Sequence, residues 1–151
     1  MLADVFSSEK RSWVMSRIRG KDTSPERMVR SFLHRHGFRF RLHVNRLPGC
    51  PDIVLPKLKT VIFVHGCFWH HHARCKYALY PRTRAAFWRA KIDGNVIRDR
   101  KTARLLRKSG WEAITIWECE VERKRDCWAQ LLNKLDSLTA QGIRSGAKPS
   151  R

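Results

Sequence analysis

Four of the chain's seven histidines and two of its five cysteines fall between Val64 and Cys75, in the run Val-His-Gly-Cys-Phe-Trp-His-His-His-Ala-Arg-Cys. Thiolates and neutral imidazoles are the ligands that Zn²⁺ selects, because the ion is borderline-soft and takes four N/S donors tetrahedrally. The spacing Cys67-x4-His72-x2-Cys75 lets one loop supply three of them, and a closed structural site then needs a fourth from elsewhere. Cys119 and Cys127 are the candidates. A second chemical signal lies upstream, where Asp52 follows Pro51 at the start of a strand-like run. An acid there serves neither strand propensity nor a core. It is either a turn residue or a carboxylate aimed at a cation.

Composition limits what these groups act on. The 151 residues suffice for one core, and the formal net charge is +19. The excess is uneven: residues 1–50 carry eleven basic and four acidic side chains, 51–110 fourteen and three, and 111–151 seven and six. A positive field of that size speaks for a polyanion, nucleic acid first and an anionic membrane surface second. No apolar run reaches the ~20 residues of a membrane span, and the N-terminus lacks a signal peptide's apolar segment. A cytosolic protein is expected, with reduced thiols that favour metal over disulfides.

The elements that must position the chemistry follow in order. Residues 7–19, with Trp13, Val14 and Met15, suit a short basic helix ending at Gly20. Ser24, Pro25 and Glu26 give an N-cap, a helix-compatible proline and an early acid, ahead of Met28, Val29, Phe32 and Leu33 at helical spacing up to Gly37. Phe38–Leu42 alternates as a strand, and 53–55 and 60–64 are two more, making a three-stranded antiparallel meander. A helix over 83–91, with a second or continuing one over 95–109, leads to a strand at 111–118, a pattern for a parallel crossover onto the meander. A last amphipathic helix carries Trp128, Leu131, Leu132, Leu135 and Leu138. The order is helix, three strands, helix, strand: an α/β chain with a basic arm at 1–20, one domain at 21–140 and a disordered polar tail at 141–151.

The residues resemble a known family, the very short patch repair (Vsr) DNA mismatch endonucleases, over nearly the whole chain. The carriers are Met15 with Arg17-Ile18-Arg19, Asp22-Thr23 and Glu26, Leu47-Pro48-Gly49 with Pro51-Asp52, His65-Gly66-Cys67-Phe68-Trp69-His70, Phe87-Trp88, Asn95 with Arg98-Asp99, and Trp117-Glu118-Cys119. The resemblance implies a restriction-endonuclease-like α-β-β-β-α-β core. It implies that Asp52 and the Val64 backbone bind a catalytic Mg²⁺, that Glu26, His65, His70 and Asp99 complete the active site, and that Cys67, His72, Cys75 and Cys119 bind a structural Zn²⁺. Met15, Phe68, Trp69 and Trp88 correspond to residues that enter the duplex, with Asn95 also at the DNA. One departure is that two residues, Ala73 and Arg74, separate His72 from Cys75, which leaves His71 as an alternative ligand. Two others are Cys50 before Pro51-Asp52 and an apolar Val64.

The implied chemistry agrees with the residue types. Phosphodiester hydrolysis needs a cation to stabilise developing charge and a base to activate water. Asp52 suits a hard cation and neutral His70 suits the base, while Mg²⁺ needs only one or two carboxylates. Singly, His65 would be a hydrogen-bonded strand end, Asp99 an ion-pair partner of Arg98 or Lys101, and Trp88 core. The expected activity is a Mg²⁺-dependent nick 5′ of the thymine in a T·G mismatch left by 5-methylcytosine deamination, made by a monomer in the bacterial cytoplasm at the nucleoid, with other repair proteins as possible partners. The competing classes are a zinc-stabilised, non-catalytic nucleic-acid-binding module, which leaves Asp52 and the spare histidines unused, and a small-molecule metallohydrolase, which leaves the charge unexplained.

Overall fold

The computed structural model describes residues 7–17, 20–123 and 126–146. Its helices are α1 (Ser8–Arg17), α2 (Ser24–Arg35), α3 (Ala85–Lys108), α4 (Glu118–Arg123) and α5 (Asp126–Gly146). The strands are β1 (Arg41–Leu42), β2 (Ile53–Leu55), β3 (Thr60–His65) and β4 (Glu112–Trp117), in spatial order β1-β2-β3-β4. The first two pairings are antiparallel and β3–β4 is parallel, so the meander and the crossover expected from the sequence both form. Ile18 and Arg19, and residues 147–151, lie outside the described residues, as does the side chain of Met15.

Helix α2 is capped by Thr23 rather than by Ser24. Glu26 N–H donates to the Thr23 hydroxyl, which donates in turn to Glu26 Oε1 at 3.1 Å. Glu26 stands three residues beyond the cap, the spacing at which such reciprocal bonds satisfy the helix's orphan donors. At the other end Phe38 N–H bonds the Leu33 carbonyl and Gly37 N–H that of His34, with Gly37 at φ +80°. This left-handed stop is a Schellman motif, and it corrects the strand expected over Phe38–Leu42. The Phe38 N–H is already used to end α2, so pairing begins only at Arg41.

Period-two alternation decides what the two sheet faces bury. Ile53, Leu55, Ile62 and Ile116 face Val29, Leu33, Val121, Leu131 and Leu135 in the larger core. Val54 and Val61 point the other way, against Leu106 of α3, with Phe63, Trp111 and Ala113 packed alongside. By the same parity Asp52, His65 and Trp117 fall on the α3 side.

Of the two readings of 95–109, the continuing helix is the one that forms: α3 is unbroken, because Trp88, Ile92 and Leu106 keep a single buried face across Gly94. Two further expectations need correction. Strand 111–118 stops at Trp117, and Glu118 and Cys119 begin the short helix α4. The polar stretch from Gln141 continues α5 as helix to Gly146.

Candidate active site and metal centre

Asp52 is aimed by the turn before it. Gly49 and Cys50 both have positive φ, and a Cβ on Gly49 would collide with Thr102 Cγ2 of α3. Only glycine therefore lets the turn lie so close to the helix. Asp52 Oδ2 then accepts a 2.8 Å hydrogen bond from Val64 N–H across the β2–β3 pair. Burial pushes the Asp52 carboxyl up to about 6, opposed by the Val64 N–H, with the Glu26 charge adding to the rise.

His65 ends β3, and its ring stacks on His70 with centroids 3.8 Å apart and planes 6° from parallel. His70 Nδ1 lies 2.7 Å from Asp99 Oδ2. A carboxylate can only accept, so Nδ1 carries the proton and Nε2 presents its lone pair. Burial, then the neighbouring His70, pushes His65 down to about 4. Asp52, Val64, His65, His70, Asp99 and Glu26 line one cleft of about 710 Å³. The structure thus gathers the five expected catalytic side chains and the Val64 backbone in one place.

Glu26 is 2% exposed and its oxygens are taken: Oε2 accepts from Asp22 N–H and Arg30 Nη2, and Oε1 from Thr23. Arg30 also reaches Asp22 Oδ1 at 2.6 Å and His43 Nε2 at 3.2 Å. Asp22, Glu26 and His43 have metal-like proximity, but the Arg30 guanidinium already neutralises the cation position between them. His43 and Arg30 were missed by sequence reasoning. Glu118, Arg107 and Glu122 also line the cleft; Glu118 entered the sequence reading only as part of Trp117-Glu118-Cys119, and the other two carried no distinguishing signal in so charged a sequence.

The second cluster is Cys67, His72, Cys75 and Cys119, whose donor atoms all lie within 4.8 Å of one another. Left-handed turns at His71 and Arg74 fold the loop back on itself. His72 Nδ1 is 3.6 Å from Cys67 Sγ and 3.4 Å from Cys119 Sγ. A tetrahedral Zn²⁺ with ordinary bond lengths requires S···N edges of about 3.6 Å, so the four residues fit that ion. His71 instead packs against Tyr80, ring centroids 4.7 Å apart. Cys127 Sγ donates to the Glu120 carbonyl and stands outside the cluster.

Between cleft and surface lies an aromatic group. Phe68 and Trp69 meet edge-on at 5.1 Å, and both contact Trp88. Trp88 is 6% exposed and so sits beneath the pair, whereas its neighbour Phe87 is 45% exposed and flanked by Arg84 and Lys91. Asn95 Nδ2 donates to the Trp69 carbonyl at 2.9 Å and fixes that residue's backbone.

The family model for the DNA mismatch endonuclease Vsr matches residues 3–76. A type II nicking enzyme of Xanthomonas oryzae, V.XorIIP, is 44% identical over 89% of this chain and 98% of its own. The DNA mismatch endonuclease Vsr of Escherichia coli is 43% identical over 78% of this chain and 75% of its own. Among solved structures, the catalytic domain of the homing endonuclease I-Bth0305I superposes with a TM-score of 0.53 at 20% identity, covering 81% of this chain and 99% of that one, a likeness of fold. With the cleft, the Cys/His cluster and these relatives together, the chain belongs to the Vsr family of DNA mismatch endonucleases.

Proposed function

We propose that this protein nicks one strand of duplex DNA at a T·G mismatch, on the 5′ side of the thymine, as the first step of very short patch repair. The observation that carries the reading is the convergence of Asp52, His65, His70 and Asp99 on one cleft beside the Phe68–Trp69 pair. Asp52 and the Val64 carbonyl would hold Mg²⁺, which supplies positive charge against the phosphate and the leaving oxygen.

His70 Nε2 takes the proton of the attacking water, and the Asp99 carboxylate stabilises the imidazolium that results. His65, held neutral by burial, spares the stack a second positive charge. Glu26 is clamped by Arg30 and fixes the wall next to Asp52. Arg98 and Arg107 line the cleft and attract the phosphates. Cys67, His72, Cys75 and Cys119 would hold a Zn²⁺ whose role is structural, since four protein donors leave no open position. Phe68 and Trp69 wedge between base steps, and unstacking costs least where pairing is already weak. The reading includes a monomer acting in the bacterial cytoplasm at the nucleoid. Consistent with that, no helix among the described residues is long and apolar enough to cross a membrane.

The test is incubation of labelled T·G, T·A and C·G duplexes with and without Mg²⁺. The expected result is a single Mg²⁺-dependent nick in the thymine strand of the T·G duplex. Tight binding without cleavage would leave a binding module instead, and equal cleavage of all three duplexes a general nuclease.

A further inference from the structure

Trp117 stands between the two clusters. One indole face stacks on the His72 ring, with centroids 4.2 Å apart and planes 5° from parallel. The same side chain meets His65 edge-on, at 5.5 Å and 70°. His65 and Trp117 are register partners in the parallel β3–β4 pair, so their side chains leave the same face of the sheet. His65 stacks in turn on His70, and His70 bonds Asp99. An unbroken line of four rings therefore runs from the Cys/His cluster to the carboxylate behind the proposed base. The residue after Trp117 reinforces the link, because the Glu118 carboxylate accepts a hydrogen bond from the backbone N–H of Cys67.

We propose that Trp117 is a positioning residue that couples the state of the Cys/His centre to the His65–His70 pair. The inference rests on the reading above, in which the first cluster takes Zn²⁺ and the second nicks DNA. A cation on His72 Nδ1 withdraws electron density from the imidazole, and an electron-poor ring stacks more strongly on the electron-rich face of indole. The stack then holds Trp117 in one rotamer, and Trp117 holds the plane of His65. The orientation of His70 Nε2 follows from the His65 plane on one side and Asp99 on the other. Partners behind a functional group commonly cost 10–100-fold when removed, and Trp117 occupies such a place for both sites at once.

The coupling is read in the full-length zinc protein by ring NMR of ¹⁵N-histidine, followed as Zn²⁺ is exchanged for the larger Cd²⁺. The exchange keeps a four-coordinate ion on the same donors, so the comparison does not depend on a metal-free protein. In the wild type the His65 and His70 resonances should move with the exchange, although neither touches the ion. In Trp117→Leu with metal still bound, they should cease to respond. On the T·G duplex this variant should lose about tenfold or more in kcat with KM little changed, and the pH midpoint of nicking should move. Trp117→Phe, which keeps an aromatic plane, should recover most of both. Wild-type His65 and His70 resonances that ignore the exchange would overturn the proposal, even if Trp117→Leu fails to fold. A metal-loaded Trp117→Leu with wild-type kcat and pH profile would overturn it as well. If the wild type leaves T·G duplexes intact, the functional reading fails, while the NMR comparison still decides the coupling.

Discussion

The Cys/His cluster and the Asp52 cleft are separated by a single residue, Gly66, between His65 and Cys67, and they are built in opposite ways. In the first, four donors from two segments turn inward and face one another. In the second, Asp52 and His70 each spend one atom on the protein and keep another: Asp52 uses Oδ2 on Val64 N–H, and His70 uses Nδ1 on Asp99. A site whose donors are all turned on one point saturates a four-coordinate ion and stabilises a fold. A site of half-satisfied groups in a cleft leaves atoms for a substrate, a cation and a water. The chemistry of a cluster is thus read less from its residue types than from how many of their atoms the protein has already used.

The hardest way to break the first site is to remove a ligand from its second segment. Cys119→Ala should take bound zinc from about one per chain to near none. Structural zinc contributes roughly 10–16 kcal/mol in finger peptides. Here two apolar cores carry part of the fold, so the expected outcome is a drop in Tm of at least about 10 °C rather than complete unfolding. Cys127→Ala should change neither quantity, since Cys127 bonds the Glu120 carbonyl. Metal analysis with thermal circular dichroism of both variants decides it: a Cys119→Ala that keeps its zinc would dismiss Cys119 as a ligand, and a metal-free one with wild-type Tm would dismiss the structural role.

Removing His70 or Asp52 should do the converse, leaving fold and metal content intact while cutting catalysis. His70→Ala should lower single-turnover nicking by roughly 10²–10⁴-fold, the usual contribution of a positioned general base. Asp52→Ala should be at least as slow and bind DNA as tightly or more so, because a negative charge facing phosphate has gone. Either variant nicking near the wild-type rate would remove that residue from the mechanism.

The contrast between the sites also explains what could be read in the sequence. The cysteine and histidine spacing was visible because one loop carries three of the four donors, and Asp52 stood out as an acid that serves neither strand nor core, although as a turn residue it read equally well. The meander and its crossover followed from alternation and from the intervening helix. What stayed hidden depends on contacts through space. Arg30 joins Asp22, Glu26 and His43 from four separate positions, and nothing in their spacing announces it. Helix α4 is six residues long and follows a strand without a break, too short for periodicity to register. Trp117 read as a strand aromatic, and only the parallel register reveals that it touches both sites.

The aromatic group sharpens the comparison at the substrate. Trp69 is held through its backbone by Asn95, so Trp69→Ala should spare stability while lowering the preference for T·G over matched DNA by about 10–100-fold, in line with a few kcal/mol per wedged step. Trp88 lies beneath, and Trp88→Ala should cost about 3–5 kcal/mol of stability in addition. Competition between mismatched and matched duplexes, together with denaturant melts, separates the two. Unchanged discrimination in Trp69→Ala would move the wedge elsewhere, and the exposed Phe87 between Arg84 and Lys91 would be the next candidate.

The smallest effect expected is a slope in stability with pH, measured without added Mg²⁺. Burial displaces the two cleft groups in opposite senses. Asp52, raised to about 6 from an ordinary 3.8, binds more protons when folded. Its contribution is present below about pH 4 and is lost as pH rises through 6. His65, lowered to about 4 from 6.5, binds fewer when folded, so its contribution is present above about 6.5 and is lost as pH falls through 4. Over pH 4–6 the two slopes oppose each other, and the wild type should show little net change from this pair. Asp52→Asn removes one side of the balance, and the variant should then lose stability progressively on acidification from about 6.5 to 4. His65→Gln removes the other, and that variant should gain stability over the same range. Chemical denaturation at half-unit pH intervals reads both, and parallel curves for wild type and Asp52→Asn would show that the Asp52 carboxyl keeps its ordinary affinity for protons in the fold.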